Sequence, residues 1–160
     1  EGPCASAPDG QRTLLPAHSL PRDAMERIRS RVRDLMTLYA GLVRDGAGLA
    51  RAAAELRTLE AQLEHLTTAS PAGDAAAQGN AGGACDYAAV VAWGELRNML
   101  LAARLVVFAA ERRTESRGAH YRKDYPRPDA GWQHRQVFSL NALAQRLPAT
   151  SPLMRATTLG

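Results

Sequence analysis

From Met25 onward, apolar side chains return every three or four residues: Met25, Ile28, Val32, Leu35, Met36, Tyr39, Leu42 and Val43. That period puts them on one stripe of a helix and leaves Arg27, Arg29, Arg31 and Asp34 on the wet side, so a first helix is expected over 22–44. Ser19 is a candidate cap, and Pro21 is tolerated in a first turn. Asp45-Gly46-Ala47-Gly48 then offers two glycines as a turn. Leu49, Ala53, Leu56, Leu59, Leu63 and Leu66 resume the period as a second helix over 47–66, and so short a connection makes the two antiparallel neighbours. Residues 67–84 are rich in Ala, Gly, Ser and Thr, with Pro71, and read as a flexible connection. A third helix is expected over 86–116, opened by Asp86 and carrying Val90, Trp93, Leu96, Leu100, Ala103, Val107 and Ala110.

The pattern predicts an all-α chain. Residues 21–117 form an up-down-up three-helix bundle, residues 1–20 are a leader broken by Pro and Gly, and residues 118–160 are an irregular strap with a short helix around 139–145. Composition agrees. Of 160 residues 46% are hydrophobic, yet aromatics make up only 5%, which favours close-packed helices over a sheet. No apolar run is long enough to span a bilayer, and residues 1–20 lack the basic-then-apolar order of a secretory signal, so a soluble protein is expected. Cys4 and Cys85 have neither disulfide-framework nor metal-site spacing, which points to a reducing cytosol.

The net charge of +4 comes from 20 basic and 16 acidic residues. Arg112, Arg113, Arg117, Arg122, Lys123, Arg127 and Arg135 concentrate the excess, but Glu111, Glu115, Asp124 and Asp129 interleave with them. A nucleic-acid-binding module is one reading of this cluster and would bind with steep salt dependence. A second is a self-sufficient helical enzyme with a polar pocket built from Arg51, Glu55, Glu95 and Arg104, although the chain offers no nucleophile–base pair or metal-ligand set.

Residues 115–126, Glu-Ser-Arg-Gly-Ala-His-Tyr-Arg-Lys-Asp-Tyr-Pro, carry the densest chemistry. One reading is local: Gly118 takes a left-handed conformation after the last turn of the third helix, Arg112, Arg113 and Arg117 sit where the helix dipole favours cations, Glu115 meets Arg112, and Arg122 with Asp124 braces the strap. The other reading is that the segment docks against a further body.

This segment, with Asp129 and Trp132 downstream and Glu-Leu-Arg-Asn at 95–98 upstream, resembles the C-terminal helical region of the succinate dehydrogenase, fumarate reductase and L-aspartate oxidase flavoproteins. Tyr39-Ala40-Gly41-Leu42-Val43-Arg44-Asp45, with Gly48-Leu49, resembles the first-helix segment of the L-aspartate oxidases in particular, and the short tail after Trp132 favours the same branch. The resemblance covers roughly residues 25–135. It implies an FAD-dependent parent that oxidises L-aspartate to iminoaspartate, with oxygen or fumarate as acceptor, on the route to quinolinate and NAD.

The chain departs from such a parent in one respect. Dinucleotide binding needs a strand, G-x-G-x-x-G and a helix, so that phosphate meets bare backbone amides, and Gly79 to Gly83 match no such fingerprint. The resemblance therefore implies a cytoplasmic C-terminal piece, inactive alone, with no catalytic, cofactor-binding or metal residues of its own. FAD would belong to the full-length parent, whose flavin-binding and capping domains would be its partners. Arg44, Glu115, Arg117, His120, Arg122 and Asp124 are the candidate interdomain contacts. For His120 a hydrogen bond to a nearby carbonyl competes with that role, and for Arg44 a pairing with Asp45 or Glu95 does. An exposed face left by a missing domain could also make the isolated piece a homodimer.

Overall fold

In the computed structural model, the residues described are 21–68 and 87–138. Three helices dominate: α1 (Arg22–Tyr39), α2 (Gly46–Thr68) and α3 (Tyr87–Arg112), each packed against the other two. The only strands among the described residues are β1 (Val43–Arg44) and β2 (Tyr121–Arg122), which pair in parallel with Val43 opposite Tyr121 and Arg44 opposite Arg122. The expected all-α three-helix bundle is therefore the architecture observed, with one small ribbon added. The leader, the 139–145 helix, Ser19, Asp86 and most of the connection after α2 lie outside the described residues.

The core is the stripe that the sequence period predicts. Met25, Ile28, Val32 and Leu35 from α1 meet Leu49, Ala52, Leu56, Leu59 and Leu63 from α2, and Leu96, Leu100, Ala103 and Val107 from α3. Each fully buried Leu contributes about 1.5–3 kcal/mol of apolar transfer energy before ordering costs. Polar groups enter the interior as pairs. Arg104 of α3 is buried and donates to both carboxylate oxygens of Glu60 on α2, at 2.6 Å to Oε1. Glu60 is pushed up from its ordinary pKa by burial, against the pull of Arg104. Arg31 pairs with Glu55 across α1 and α2, and Arg29 with Glu95 across α1 and α3. Arg51 instead approaches the Tyr39 hydroxyl. The four residues of the predicted polar pocket thus have separate partners and enclose no common site.

The helix ends differ from expectation. The first helix stops at Tyr39 rather than 44, so Leu42 and Val43, which continue the apolar period, leave the stripe and are 84% and 48% exposed. At Gly41 a Cβ would lie 2.5 Å from the Thr37 carbonyl oxygen, so the chain can leave the helix this way only with glycine there. Pro21 precedes α1 as its N-cap rather than sitting in the first turn. Gly46 and Gly48 open α2 instead of forming a turn before it, because Asp45 caps it by accepting from Gly48 N at 2.7 Å. The third helix ends at Arg112, not 116.

Leu96→Ala should cost about 2–5 kcal/mol in urea unfolding of the 160-residue chain. Leu42→Ala should stay within about 0.5 kcal/mol in the same measurement.

Candidate functional site at the strap

After α3 the chain turns back over the end of the bundle, and two of its charged side chains, Glu115 and Arg122, are buried there. Gly118 is left-handed (φ 58°), as the sequence suggests, but it does not cap a helix. It opens a two-residue turn closed by paired backbone hydrogen bonds between Arg117 and His120, at 2.8 and 3.0 Å. Glycine in the first central position suits the II′ type of hairpin turn.

Arg122 sits at the centre of the site, 2% exposed. Its Nη1 donates to the carbonyls of Ala110 (2.8 Å) and Glu111 (3.1 Å) in the last turn of α3 and of Arg113 (3.4 Å) just past it. Its Nε and Nη2 grip Asp124 in a fork, at 2.8 and 2.6 Å. Asp124 Oδ2 in turn accepts from Gly46 N, the first amide of α2, at 2.9 Å. A cation therefore lies on the negative end of one helix dipole, its carboxylate partner on the positive end of another, and each stabilises both. The guanidinium also lies over the Tyr125 ring, 5.1 Å from its centroid. Asp124 is held at about 2, first by the Arg122 hydrogen bond.

Glu115 is the second anchor, with no exposed surface. It does not meet Arg112 as the spacing suggests. It accepts from Arg113 Nε (2.9 Å), from Arg117 Nε (3.0 Å) and from the Asp129 amide (2.9 Å). Those donors, Arg117 foremost, hold its pKa at about 2 against the opposing effect of burial. Arg113 and Arg117 extend the network to the carbonyls of Trp132 and Asp129, both at 3.2 Å. Arg112 instead stacks near Phe108 and Phe138. Ser116, absent from the sequence-based candidates, clasps the hairpin by donating to Tyr125 O (2.8 Å) and accepting from Arg122 N (2.8 Å). Trp132 Nε1 donates to Thr114 Oγ1 at 3.0 Å and ties the strap's far end to the segment just after α3.

Arg44 pairs with neither Asp45 nor Glu95. Its Nε donates to Ala40 O at 3.0 Å, and its Nη1 lies 3.1 Å from His120 Nδ1. His120 Nε2 lies 3.3 Å from Arg113 O, so the neutral ring that donates from Nε2 and accepts at Nδ1 satisfies both contacts. Burial first, then the cations Arg44, Arg113 and Arg122, push its pKa below the ordinary value. The structure thus joins all six candidates, Arg44, Glu115, Arg117, His120, Arg122 and Asp124, in one region, spending most of their polar atoms on this chain's own groups.

The N-terminus of α2, which the strap adjoins, does not suit a flavin diphosphate. Such a group needs free amides at a helix N-terminus, and there the Gly46 and Gly48 amides already donate to Asp124 and Asp45. Among the described residues no group of three His, Cys, Asp or Glu side chains converges as a metal site, and no helix is long and apolar enough to cross a membrane.

Comparison with known proteins adds an independent line. Residues 29–150 match the family model described as fumarate reductase flavoprotein C-term. An L-aspartate oxidase of Streptomyces coelicolor is 34% identical over 86% of this chain and 21% of its own length. One from Rhodospirillum rubrum is 36% identical over 71% of the chain and 31% of its own length. A fumarate reductase flavoprotein subunit of Helicobacter pylori is 30% identical over 82% of the chain and 17% of its own length. The chain thus spans a third or less of these relatives. In fold, it is similar to Mycobacterium smegmatis Sdh1, solved in complex with UQ1, at a TM-score of 0.53 and 24% identity, over 76% of this chain and 18% of that one.

Two measurements test the site. Arg122→Met leaves the α3 carbonyls without their donor and should cost about 1–3 kcal/mol, with Arg122→Lys restoring little because an ammonium cannot form the fork. Both carboxylates are depressed, so their contribution is complete above their ordinary pKa values of 4.5 and 3.8 and is lost as pH falls toward about 2. Glu115→Gln should flatten that acid limb in a pH series of urea midpoints.

Proposed function

Because the chain belongs to the fumarate reductase flavoprotein C-terminal family, we propose that it is the helical C-terminal domain of an FAD-dependent L-aspartate oxidase. The similarity to the Streptomyces coelicolor L-aspartate oxidase, over most of this chain, carries the reading. The parent would remove two electrons and two protons from L-aspartate to give iminoaspartate, a step toward quinolinate and NAD in the cytoplasm. FAD would accept the electrons and pass them to oxygen or fumarate.

In this reading the domain contributes rigidity rather than chemistry. Glu115 and Arg122 hold the strap in a fixed shape from within, and Arg44, Arg117 and His120, less buried than those two, would stand nearer the flavin-binding and capping domains. Arg117 is the positioning residue of most consequence, because its side chain is 38% exposed while still anchored to Glu115.

The Helicobacter pylori relatives support a second reading, a fumarate reductase flavoprotein subunit. Anaerobic titration of the purified parent separates the two. L-aspartate should bleach the bound flavin and succinate should not; the reverse result transfers the domain to the dehydrogenase branch. In the L-aspartate oxidase parent, Arg117→Ala should lower flavin retention and turnover together. Unchanged values for both would confine Arg117 to a local role.

A further inference from the structure

Parallel strands occur almost only in sheets covered on both faces, and a two-stranded ribbon is marginal by itself in water. The β1–β2 ribbon is parallel and two-stranded, and only one of its faces is covered. The register pair Arg44 and Arg122 lies on the inner face, where Arg122 is 2% exposed. The other pair, Val43 and Tyr121, is 48% and 44% exposed. Leu42, immediately before β1, is 84% exposed, and Leu38 in the last turn of α1 is 66% exposed. This is the reverse of an ordinary solvent-facing surface, which carries charge outward and apolar groups inward.

We propose that the outer face of this ribbon, Val43 and Tyr121 with Leu42 beside them, is the surface on which the rest of the parent flavoprotein docks. Its occupant is an apolar segment of the same polypeptide. The inference rests on the parentage proposed above. One observation favours this occupant over a second copy of the chain. The relatives devote 69–83% of their length to sequence outside the match, so a large body of the same polypeptide would be tethered beside the ribbon. Glu115 and Arg122, at 0% and 2% exposure, lie beneath the ribbon and shape this face without forming it.

Cysteine labelling tests this. In a Cys4→Ser, Cys85→Ser background, Val43→Cys and Tyr121→Cys should react with a maleimide more slowly in the parent than in the 160-residue chain, by on the order of tenfold or more. Arg57→Cys, on the exposed side of α2, should react equally in both. Equal rates at 43 and 121 in the two proteins would overturn the docking face. Protection at both positions in the 160-residue chain, with a dimer mass, would assign the face to self-association and overturn it too. A parent that purifies without flavin would remove the parentage itself, whatever the labelling shows. Amide hydrogen exchange over 119–123 in the unsubstituted parent and chain repeats the comparison without mutation, and equal exchange would count against the proposal.

Discussion

One ion pair organises this end of the molecule. Arg122 and Asp124 join the last carbonyls of α3 to the first amide of α2 through a single fork of hydrogen bonds. A helix end buried without partners is costly, and a buried charge without a counter-charge costs more. Here each liability answers the other, since the guanidinium takes the negative end of one dipole and the carboxylate the positive end of another. The pair also fixes β2 where β1 can pair with it, so the ribbon depends on the same two side chains.

Glu115 performs a parallel task for the outer half of the strap. A carboxylate with no exposed surface is tolerable only if its oxygens are filled, and two arginines and a backbone amide fill them. The consequence for function is an inversion. The residues that look most like a recognition motif are largely the internal scaffold, and the surface they shape is apolar. That surface, rather than the charge cluster, is what the domain would present to a larger flavoprotein.

The bundle was legible because its signal is local. Met25 to Leu35, Leu49 to Leu63 and Leu96 to Val107 repeat at the helical period, and burial follows that period. Helix ends were less legible. Leu42 and Val43 keep the period beyond Tyr39, and only the close approach of Gly41 to the Thr37 carbonyl shows that the helix has already ended. The Arg122–Asp124 brace could be read from spacing, but the partners of Glu115 could not, because the chain leaves the helix at Arg112 and the three-residue spacing to that arginine no longer implies adjacency. Ser116 gave no signal beyond being a small hydroxyl, and its role emerges only once the hairpin brings two carbonyls to it.

By itself the sequence determined three amphipathic helices, a charged segment after the third and a likeness to a flavoprotein family, because periodicity and motif order are properties of neighbours along the chain. Tertiary structure alone decided that residues 43–44 pair with 121–122, that Arg122 turns inward and that Val43 and Tyr121 turn out. Those outcomes depend on contacts between positions nearly eighty residues apart, whose energy exists only after the helices have packed and brought their unpaired ends within reach of one guanidinium.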